Sequence, residues 1–254
     1  MKVVMIGSGN TATVLCAVLK SAEHQIVQVV SRNIDNARTL ASLYNASAAV
    51  LTESQFADAD IYIFAINDAV LDHLERFPHL KDKLVVHTAG SVSINALKDY
   101  TTYGVLYPLQ TLSKYSSEIP EIPFLVDGNN KETLHTILGL ARTLSANVQT
   151  ANDSQRLNYH VAAVFVSNFA NHMFALGELF CQAEKLESKT LLPLINETNK
   201  RVNHHSPFLT QTGPAMRDDI FSINRHLQAL SAHPDLKYIY LKLSESIIKL
   251  HGKR

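Results

Sequence analysis

The stretch "KVVMIGSGNTAT", residues 2–13, decides the fold because it joins an apolar run to a glycine turn and then to a helical pattern. Residues 2–6 are β-branched and apolar, which is typical of a buried strand that ends at Gly7. "TATVLCAVLKSA" then carries apolar residues at helical spacing, and "HQIVQVVSRN" is a second strand. This βαβ context favours a dinucleotide-binding turn over an ordinary strand–helix turn.

Each residue type in the turn has a physical reason to be there. Gly7 permits the tight turn, and Gly9 lets the backbone approach a pyrophosphate. Free N–H groups at the start of the helix offer an anion site. Ala12 replaces the third glycine of the fingerprint, which serves helix–strand packing. The residues predicted to bind the pyrophosphate are Gly7, Ser8, Gly9, Asn10 and Thr11.

The end of the second strand predicts which dinucleotide binds. An NAD site usually places a carboxylate there for the ribose hydroxyls. This chain reads "VVSRN", with Ser31 and Arg32 and no carboxylate. A guanidinium can hold a 2′-phosphate in a bidentate way, so NADP is favoured over NAD. The alternative is that Arg32 is only a solvated residue at a helix start.

Strands and helices alternate up to "NVQTA", residues 147–151, and no strand pattern follows Asp153. The apolar runs are too uniform for a sheet with one wet face, which indicates a parallel sheet covered on both sides. The predicted fold class is α/β: a Rossmann-like, doubly wound, mainly parallel sheet followed by an all-α C-terminal domain. The predicted domains are residues 1–152, which bind the dinucleotide, and residues 153–254, which serve substrate binding and dimerisation.

Further polar residues lie where strands of the predicted sheet end. Asn67 follows the fourth strand, and "HTAGS", residues 87–91, follows the fifth. We assign Asn67, Thr88, Gly90 and Ser91 to the cofactor site, since ligands bind beyond the carboxyl ends of such strands. His87 is either part of this site or a structural histidine at a strand end.

The long helical pattern after Asp153 contains His160, Ser167, Asn168 and Asn171 on one predicted face. Polar groups in an apolar helix need partners, so they either satisfy the core or line a site. "QTGPAMRDD", residues 211–219, places Arg217 and Asp219 near a Gly-Pro turn.

Composition excludes several classes of function. The 23 basic and 23 acidic residues cancel, which argues against a nucleic-acid or anionic-membrane binder. Two cysteines in apolar stretches and no long apolar run predict a soluble protein of the reducing cytoplasm. The twelve histidines fall in no recognised metal-ligand motif, so we expect no metal site.

Seven segments, taken together, resemble an uncharacterised bacterial family that pairs a Rossmann-like domain with a helical domain of unknown function: "IGSGNTA", "VVSRN", "AINDAVL", "VVHTAGS", "GVLYPLQTLS", "NYHVAAVFVSN" and "TGPAMRDD". The family is similar to pyrroline-5-carboxylate reductase, ketopantoate reductase and the 6-phosphogluconate and β-hydroxyacid dehydrogenases. The resemblance implies NAD(P)-dependent oxidoreduction, a site between two domains and a homodimer.

The resemblance also has departures. It implies a catalytic lysine with an asparagine four residues on, whereas this chain has His160 and, eight residues later, Asn168. Related members often carry a histidine where this chain has Tyr107, which leaves Tyr107 with a polar role or with none.

Two functions follow from these residues. In the first, NADPH reduces a small carbonyl or imine, with His160 as the acid because an imidazole titrates near neutral pH. Ser167 and Asn168 would bond the developing oxyanion or amine, and Arg217 would hold a substrate carboxylate. In the second, the protein binds NADP without catalysis, as a redox sensor or an interaction partner.

Overall fold

The structure is a computed structural model that describes residues 1–51, 55–71, 77–116 and 118–251. The chain divides into two compact units, which we call the sheet unit (Met1–Phe169) and the helical unit (Ala170–Arg254). The described residues of the sheet unit form the strands β1 (Lys2–Ile6), β2 (Gln25–Ser31), β3 (Ser47–Val50), β4 (Ile61–Phe64), β5 (Leu84–His87), β6 (Thr102–Pro108), β7 (Phe124–Gly128) and β8 (Val148–Thr150). Its helices are α1 (Asn10–Ser21), α2 (Ile34–Ser42), α3 (Asp68–Leu71), α4 (Lys131–Leu144) and α5 (Asp153–Ala163).

The eight strands form one sheet in the order β3-β2-β1-β4-β5-β6-β7-β8. Every neighbouring pair is parallel except β6 and β7, which are antiparallel. The chain runs outward from β1 to β3 and then returns to place β4 on the other side of β1. The strand order therefore reverses between β1 and β4, where doubly wound proteins bind ligands. The predicted fold class is confirmed.

Apolar side chains alternate between the two faces of the sheet. Val3 and Met5 of β1 pack with Leu15 of α1 on one face. Val4 and Ile6 pack on the other face, in the same cluster as Leu71, Leu80 and Leu97. Because both faces are covered, β4 is buried at every position and β1 and β5 at every position after the first, which explains their apolar sequence.

The helical unit contains no strand among its described residues. Its helices are α6 (Ala170–Ala183), α7 (Leu192–His204), α8 (Ile220–Ala229) and α9 (Pro234–His251). Between α5 and α6 the backbone forms a π-helical segment, Val164–Phe169, rather than the continuous α-helix that the pattern predicts. A π-helix adds a residue to each turn, so it rotates the following side chains around the axis.

The two units divide between residues 169 and 170, whereas the sequence places its domain boundary at 152, just before α5. The functional division into residues 1–152 and 153–254 stays a prediction. No helix among the described residues is long and apolar enough to cross a membrane. Cys16 and Cys181 are buried and form no disulfide, and burial raises the pKa of the Cys16 thiol to about 12.

Candidate functional site

A cavity of about 610 Å³ lies where the strand order reverses, and we call it the switch-point cavity. It opens at the carboxyl ends of β1, β2 and β4. Six of the predicted cofactor residues line it, namely Gly7, Ser8, Gly9, Ser31, Arg32 and Asn67. The other lining residues are Val30, Asn33, Asn36, Leu51, Ala65, Ile66, Val70 and Lys114.

The two glycines of the turn are needed for different reasons. Gly7 has a φ of +129°, and a Cβ there would lie 2.1 Å from the carbonyl oxygen of Ala65. Its N–H donates to the carbonyl of Val30 at 2.7 Å, which ties β1 to β2. A Cβ on Gly9 would meet no protein atom within 4 Å. The bare backbone at Gly9 therefore leaves room in the cavity for a ligand rather than for a neighbouring strand.

The amino end of α1 is suited to an anion. Gly9 is its N-cap and supplies no side-chain hydrogen bond, and its first turn carries no acidic residue. The positive end of the helix dipole and its N–H groups therefore face the turn without a protein anion. Ala12 is completely buried, as expected for a residue in the place of the third, packing glycine.

Positive charge lies at the β2 side of the cavity. Arg32 is exposed and forms no ion pair among the described residues. Lys114 also lines the cavity, and its backbone N–H donates to Oδ1 of Asn10 at 3.3 Å. The described lining residues include these two cations and no carboxylate, so the cavity fits a phosphorylated ligand. Lys114 was not predicted, since it lies about a hundred residues from the glycine turn.

The remaining polar residues of this edge are tied to one another. Ser8 and Ser31 share a hydrogen bond of 2.8 Å, and the side-chain oxygen of Asn33 caps α2. Oδ1 of Asn67 accepts from the backbone N–H of Ala69 at 3.0 Å. Asn33 and Asn67 thus hold the starts of two helices while they line the cavity.

Residues 88–91 follow β5 and do not line the switch-point cavity. The backbone N–H of Thr88 donates to the carbonyl of Phe64 at 3.2 Å. Ser91 donates to Oδ2 of Asp68 at 2.5 Å, which links this segment to the residue after Asn67. A Cβ on Gly90 would lie 2.9 Å from both Nδ1 of His160 and Cζ of Tyr107. The segment therefore connects the edge of the first cavity with His160.

A second cavity, of about 500 Å³, lies along α5 and the π-helical segment, and we call it the α5 cavity. Its lining includes three predicted catalytic residues, His160, Ser167 and Asn168. The other lining residues are Tyr107, Leu109, Gln110, Thr111, Tyr159, Ala162, Ala163, Val164 and Val166. Residues 109–111 line this cavity and Lys114 lines the other, so one short segment borders both.

Hydrogen bonds organise the polar wall of the α5 cavity. The Tyr107 hydroxyl lies 2.9 Å from Nδ1 of His160, and Thr111 Oγ1 lies 2.6 Å from Ser167 Oγ. Gln110 is tied at both ends, because Nε2 donates to the carbonyl of Glu121 and Oε1 accepts from the N–H of Thr111. Among the described residues, Nε2 of His160 and the side chain of Asn168 form no hydrogen bond and remain for a ligand on this wall, whereas Ser167 shares its hydroxyl with Thr111.

The start of α5 is fixed to the loop after β5. Asp153 accepts from Ser93 Oγ at 2.5 Å and from the N–H of Ile94 at 3.0 Å. Arg156, completely buried, donates to Asp153 at 2.7 Å and to the carbonyl of Val92. Burial raises the pKa of Asp153, but these hydrogen bonds outweigh it and lower that pKa below its usual range. Because His160 is one turn beyond Arg156, these contacts hold its helix against residues 92–94.

His87 is buried at the end of β5. Its ring is fully buried, and Nδ1 accepts from the backbone N–H of Ala89 at 3.2 Å. Burial, and then the charge of Arg156, lower the pKa of His87 to about 4. The ring therefore stays neutral near neutral pH, which favours the structural alternative over a role in the site.

The predicted residues of the helical unit have local partners. Arg217 ends a short 3₁₀ helix of the helical unit. Asp219 caps α8 through the N–H and hydroxyl of Ser222, and His226 lies 2.8 Å from the Tyr240 hydroxyl. Asn171 lies beyond the π-helical segment, in α6. Among the described residues, no group of three or more His, Cys, Asp or Glu side chains could hold a metal ion.

Two family profiles match the chain. Residues 2–90 match "NADP oxidoreductase coenzyme F420-dependent", and residues 122–247 match a domain of unknown function, DUF2520. A search of curated proteins finds no match.

Solved structures extend the comparison over the whole chain. A Bacteroides fragilis protein assigned as an NADP oxidoreductase is 37% identical, with 98% of both chains covered and a TM-score of 0.86. Two more distant structures share the fold. Pyrroline-5-carboxylate reductase of Streptococcus pyogenes is 13% identical, covers 97% of this chain and 98% of its own, and has a TM-score of 0.60. A reductive aminase of Aspergillus terreus, in complex with NADPH and ethyl-5-oxohexanoate, is 14% identical, covers 100% and 96%, and has a TM-score of 0.70.

The full-length match to the Bacteroides protein and the two family profiles agree with the glycine turn and with the cavity at the point where the strand order reverses. The chain therefore belongs to the same NADP oxidoreductase family as the Bacteroides protein, and it combines an NADP oxidoreductase domain with a DUF2520 domain.

Proposed function

We propose that the chain is an NADP-dependent reductase that transfers hydride from NADPH to a small carbonyl or imine compound. The observation that carries this proposal is the switch-point cavity, whose described lining contains the glycine turn, Arg32, Lys114 and no carboxylate. The segment that contributes Lys114 to this cavity also borders the α5 cavity. The family assignment and the NADPH complex of the reductive aminase support it.

The residues that hold the cofactor follow from the cavity. The turn from Gly7 to Thr11 would bind the pyrophosphate through backbone N–H groups at the start of α1. Ser31, Arg32 and Lys114 would bind the 2′-phosphate, which favours NADP over NAD. Asn67 would cover the cofactor, and Thr88, Gly90 and Ser91 would lie beside the nicotinamide ring. When bound, the nicotinamide supplies the hydride that reduces the acceptor carbon.

The α5 cavity supplies the groups that the acceptor needs. His160 lines it and would give the proton to the reduced oxygen or nitrogen. Ser167 and Asn168 would donate hydrogen bonds to the charge that develops there. The predicted contact of Arg217 with a substrate carboxylate stays a prediction, because Arg217 belongs to the helical unit.

Cofactor binding is tested first and without a substrate. Arg32→Ala should weaken NADPH binding by ~10- to 100-fold, the effect of a lost charge-assisted contact, and should change NADH binding little. Arg38→Ala is the matched control, since Arg38 is an exposed arginine of α2 that pairs with Asp35 and does not line the cavity. Equal affinity of the wild-type protein for NADPH and NADH would contradict the proposed selectivity.

Turnover separates the reductase from a protein that only binds NADP. A panel of carbonyl compounds and cyclic imines is assayed for NADPH oxidation. His160→Asn should lower the rate by at least ~100-fold and leave the Kd for NADPH within about twofold. Tight NADPH binding with no turnover over the whole panel would favour the sensor hypothesis.

We also propose a homodimer, because large apolar side chains are exposed in each unit. Phe165 and Val166 of the π-helical segment are 64% and 79% exposed. Within the helical unit, Leu194, Leu209 and Phe221 are more than half exposed. Monomeric proteins rarely expose apolar surface so densely, and a second copy would cover it. The two buried, unpaired cysteines support a reducing compartment such as the cytoplasm.

A further inference from the structure

The closest polar contact of His160 is with a tyrosine of the sheet. Tyr107 lies near the end of β6, and its hydroxyl is 2.9 Å from Nδ1 of His160. The two rings meet edge to face, with centroids 6.0 Å apart. Nε2, on the opposite side of the imidazole, is left for a ligand of the α5 cavity that both side chains line.

Gly90 leaves room for this pair. A Cβ at position 90 would lie 2.9 Å from Nδ1 of His160 and 2.9 Å from Cζ of Tyr107. No side chain larger than hydrogen fits without moving one of the rings. The glycine of "HTAGS" is thus explained by the space that the Tyr107–His160 contact occupies, and the segment beside it is the one assigned to the nicotinamide.

Burial decides which atom donates in this hydrogen bond. Tyr107 is only 8% exposed, and burial, followed by the charge of Asp68, raises its pKa, so the phenol keeps its proton at neutral pH. Among the described residues, the one hydrogen bond of this hydroxyl is with His160. If Nδ1 donated, the O–H would have no acceptor among the described residues, and an unpaired donor beside buried groups is costly.

We propose that Tyr107 is a positioning residue for His160: its O–H donates to Nδ1, holds the neutral ring with its proton on Nε2, and replaces that proton when it leaves. The proposal rests on the proposed reductase function for its chemistry, but the tautomer itself is a property of the protein alone. The sequence did not predict this hydrogen bond from Tyr107 to His160, because it left Tyr107 with a polar role or with none.

The proton transfer balances through the pair. As the acceptor carbon is reduced, the heteroatom forms a bond to the Nε2 proton and the Nε2–H bond breaks. The phenol proton moves to Nδ1, so the imidazole ends neutral and the Tyr107 oxygen carries the negative charge until water returns a proton. Burial and Asp68 raise the pKa of Tyr107, and the charge of the buried Arg156 guanidinium opposes that rise, so Arg156 is the described group that offsets part of the cost of this charge.

The tautomer is tested on the protein without cofactor or substrate. Histidine is labelled with ¹⁵N, and long-range ¹H–¹⁵N spectra at about pH 8.5, where an ordinary histidine is neutral, report which nitrogen carries the proton. His160→Asn identifies the His160 signals among the twelve histidines. In the wild-type protein we expect Nε2 protonated, and in Tyr107→Phe a mixture of the two tautomers.

Two further variants make the result specific. Tyr103→Phe is the matched control, because Tyr103 lies on the same face of the same strand but packs against a different apolar cluster, and it should keep the wild-type tautomer. Gly90→Ala should give the same mixture as Tyr107→Phe with both rings intact. Unchanged signals from the other histidines show that each variant is folded.

The outcomes separate this proposal from the reductase assignment. A His160 ring protonated on Nδ1 in the wild-type protein, or a tautomer unchanged by Tyr107→Phe, overturns the proposal whether or not the protein is a reductase. Failure of NADPH binding overturns the reductase assignment and leaves the tautomer result standing. Where a substrate is turned over, Tyr107→Phe should lower kcat by ~100-fold and leave the Kd for NADPH within about twofold.

Discussion

His87 couples the stability of the sheet unit to pH, although it takes no part in the proposed reaction. Its ring is completely buried at the end of β5, and Nε2 has no hydrogen-bond partner among the described residues. A protonated imidazole there would lose its hydration and lie near the charge of Arg156. Acid should therefore weaken the folded state through this residue, and His87→Gln should remove that part of the pH dependence.

The magnitude follows from the shift in the pKa of His87. Burial lowers this pKa from 6.5 to about 4, so between those values the unfolded chain binds a proton that the folded chain does not. Unfolding free energy thus falls as pH falls below 6.5, and the loss is complete near pH 4. Each pKa unit corresponds to about 1.4 kcal/mol, which gives roughly 3 kcal/mol in full and roughly 2 kcal/mol by pH 5.

The assay compares the wild-type protein with His87→Gln and His87→Asn. Urea unfolding is measured at about pH 7.5 and pH 5, and hydrogen exchange of the β5 and β6 peptides follows the sheet unit separately. The wild-type protein should lose about 2 kcal/mol more than either variant between the two pH values. Glutamine and asparagine differ in size, so the two variants differ in packing. If both show the same pH dependence of the unfolding free energy, their difference from the wild-type protein comes from protonation of His87. Equal losses in all three proteins would refute the conclusion that His87 is buried in its neutral form.

Three other perturbations test the cavities and the exposed apolar surface. Gly7→Ala should destabilise the protein by at least about 2 kcal/mol in urea unfolding, because its Cβ would clash with the Ala65 carbonyl at a positive φ, whereas Gly9→Ala should fold normally and weaken NADPH binding. Lys114→Ala should weaken NADPH binding by ~10-fold in fluorescence titration, and an unchanged Kd would remove this lysine from the phosphate site. Val166→Glu should convert a dimer to a monomer in sedimentation experiments, and a wild-type monomer would contradict the proposed dimer.

The sheet was predictable because its strands are buried on both faces. "IYIFAI" is apolar at every position since Ile61 and Ile63 face one core and Tyr62 and Phe64 the other. Such a run identifies a central parallel strand without knowledge of its neighbours. The glycine turn was predictable for a related reason. The constraint on Gly7 comes from β1, β2 and β4, which the βαβ pattern already places together.

The π-helical segment was not predictable in this way. "VFVSNF" has no residue that distinguishes a π-helix from an α-helix, and the sequence pattern continues through it without a break. Within it Ser167 is hydrogen-bonded to Thr111, a residue 56 positions earlier that the local pattern does not bring into view. A π-helical turn also changes the angular spacing of side chains, so the face that regular helical spacing draws through Asn171 is not continuous with Ser167 and Asn168.

The cofactor-binding part of the proposed site could be predicted from the sequence, whereas the environment of the proposed proton donor could not. A pyrophosphate is bound by backbone N–H groups, which every sequence has, so the information lies in the local turn that exposes them. A proton donor acts through a side chain whose state depends on what touches it. His160 is an ordinary residue of a helix until Tyr107, 53 positions earlier, reaches Nδ1 and Gly90 leaves space for both rings. The cofactor could therefore be proposed from one βαβ unit, residues 2–33, whereas the proposed protonation state of His160 needs three segments that only the folded sheet brings together.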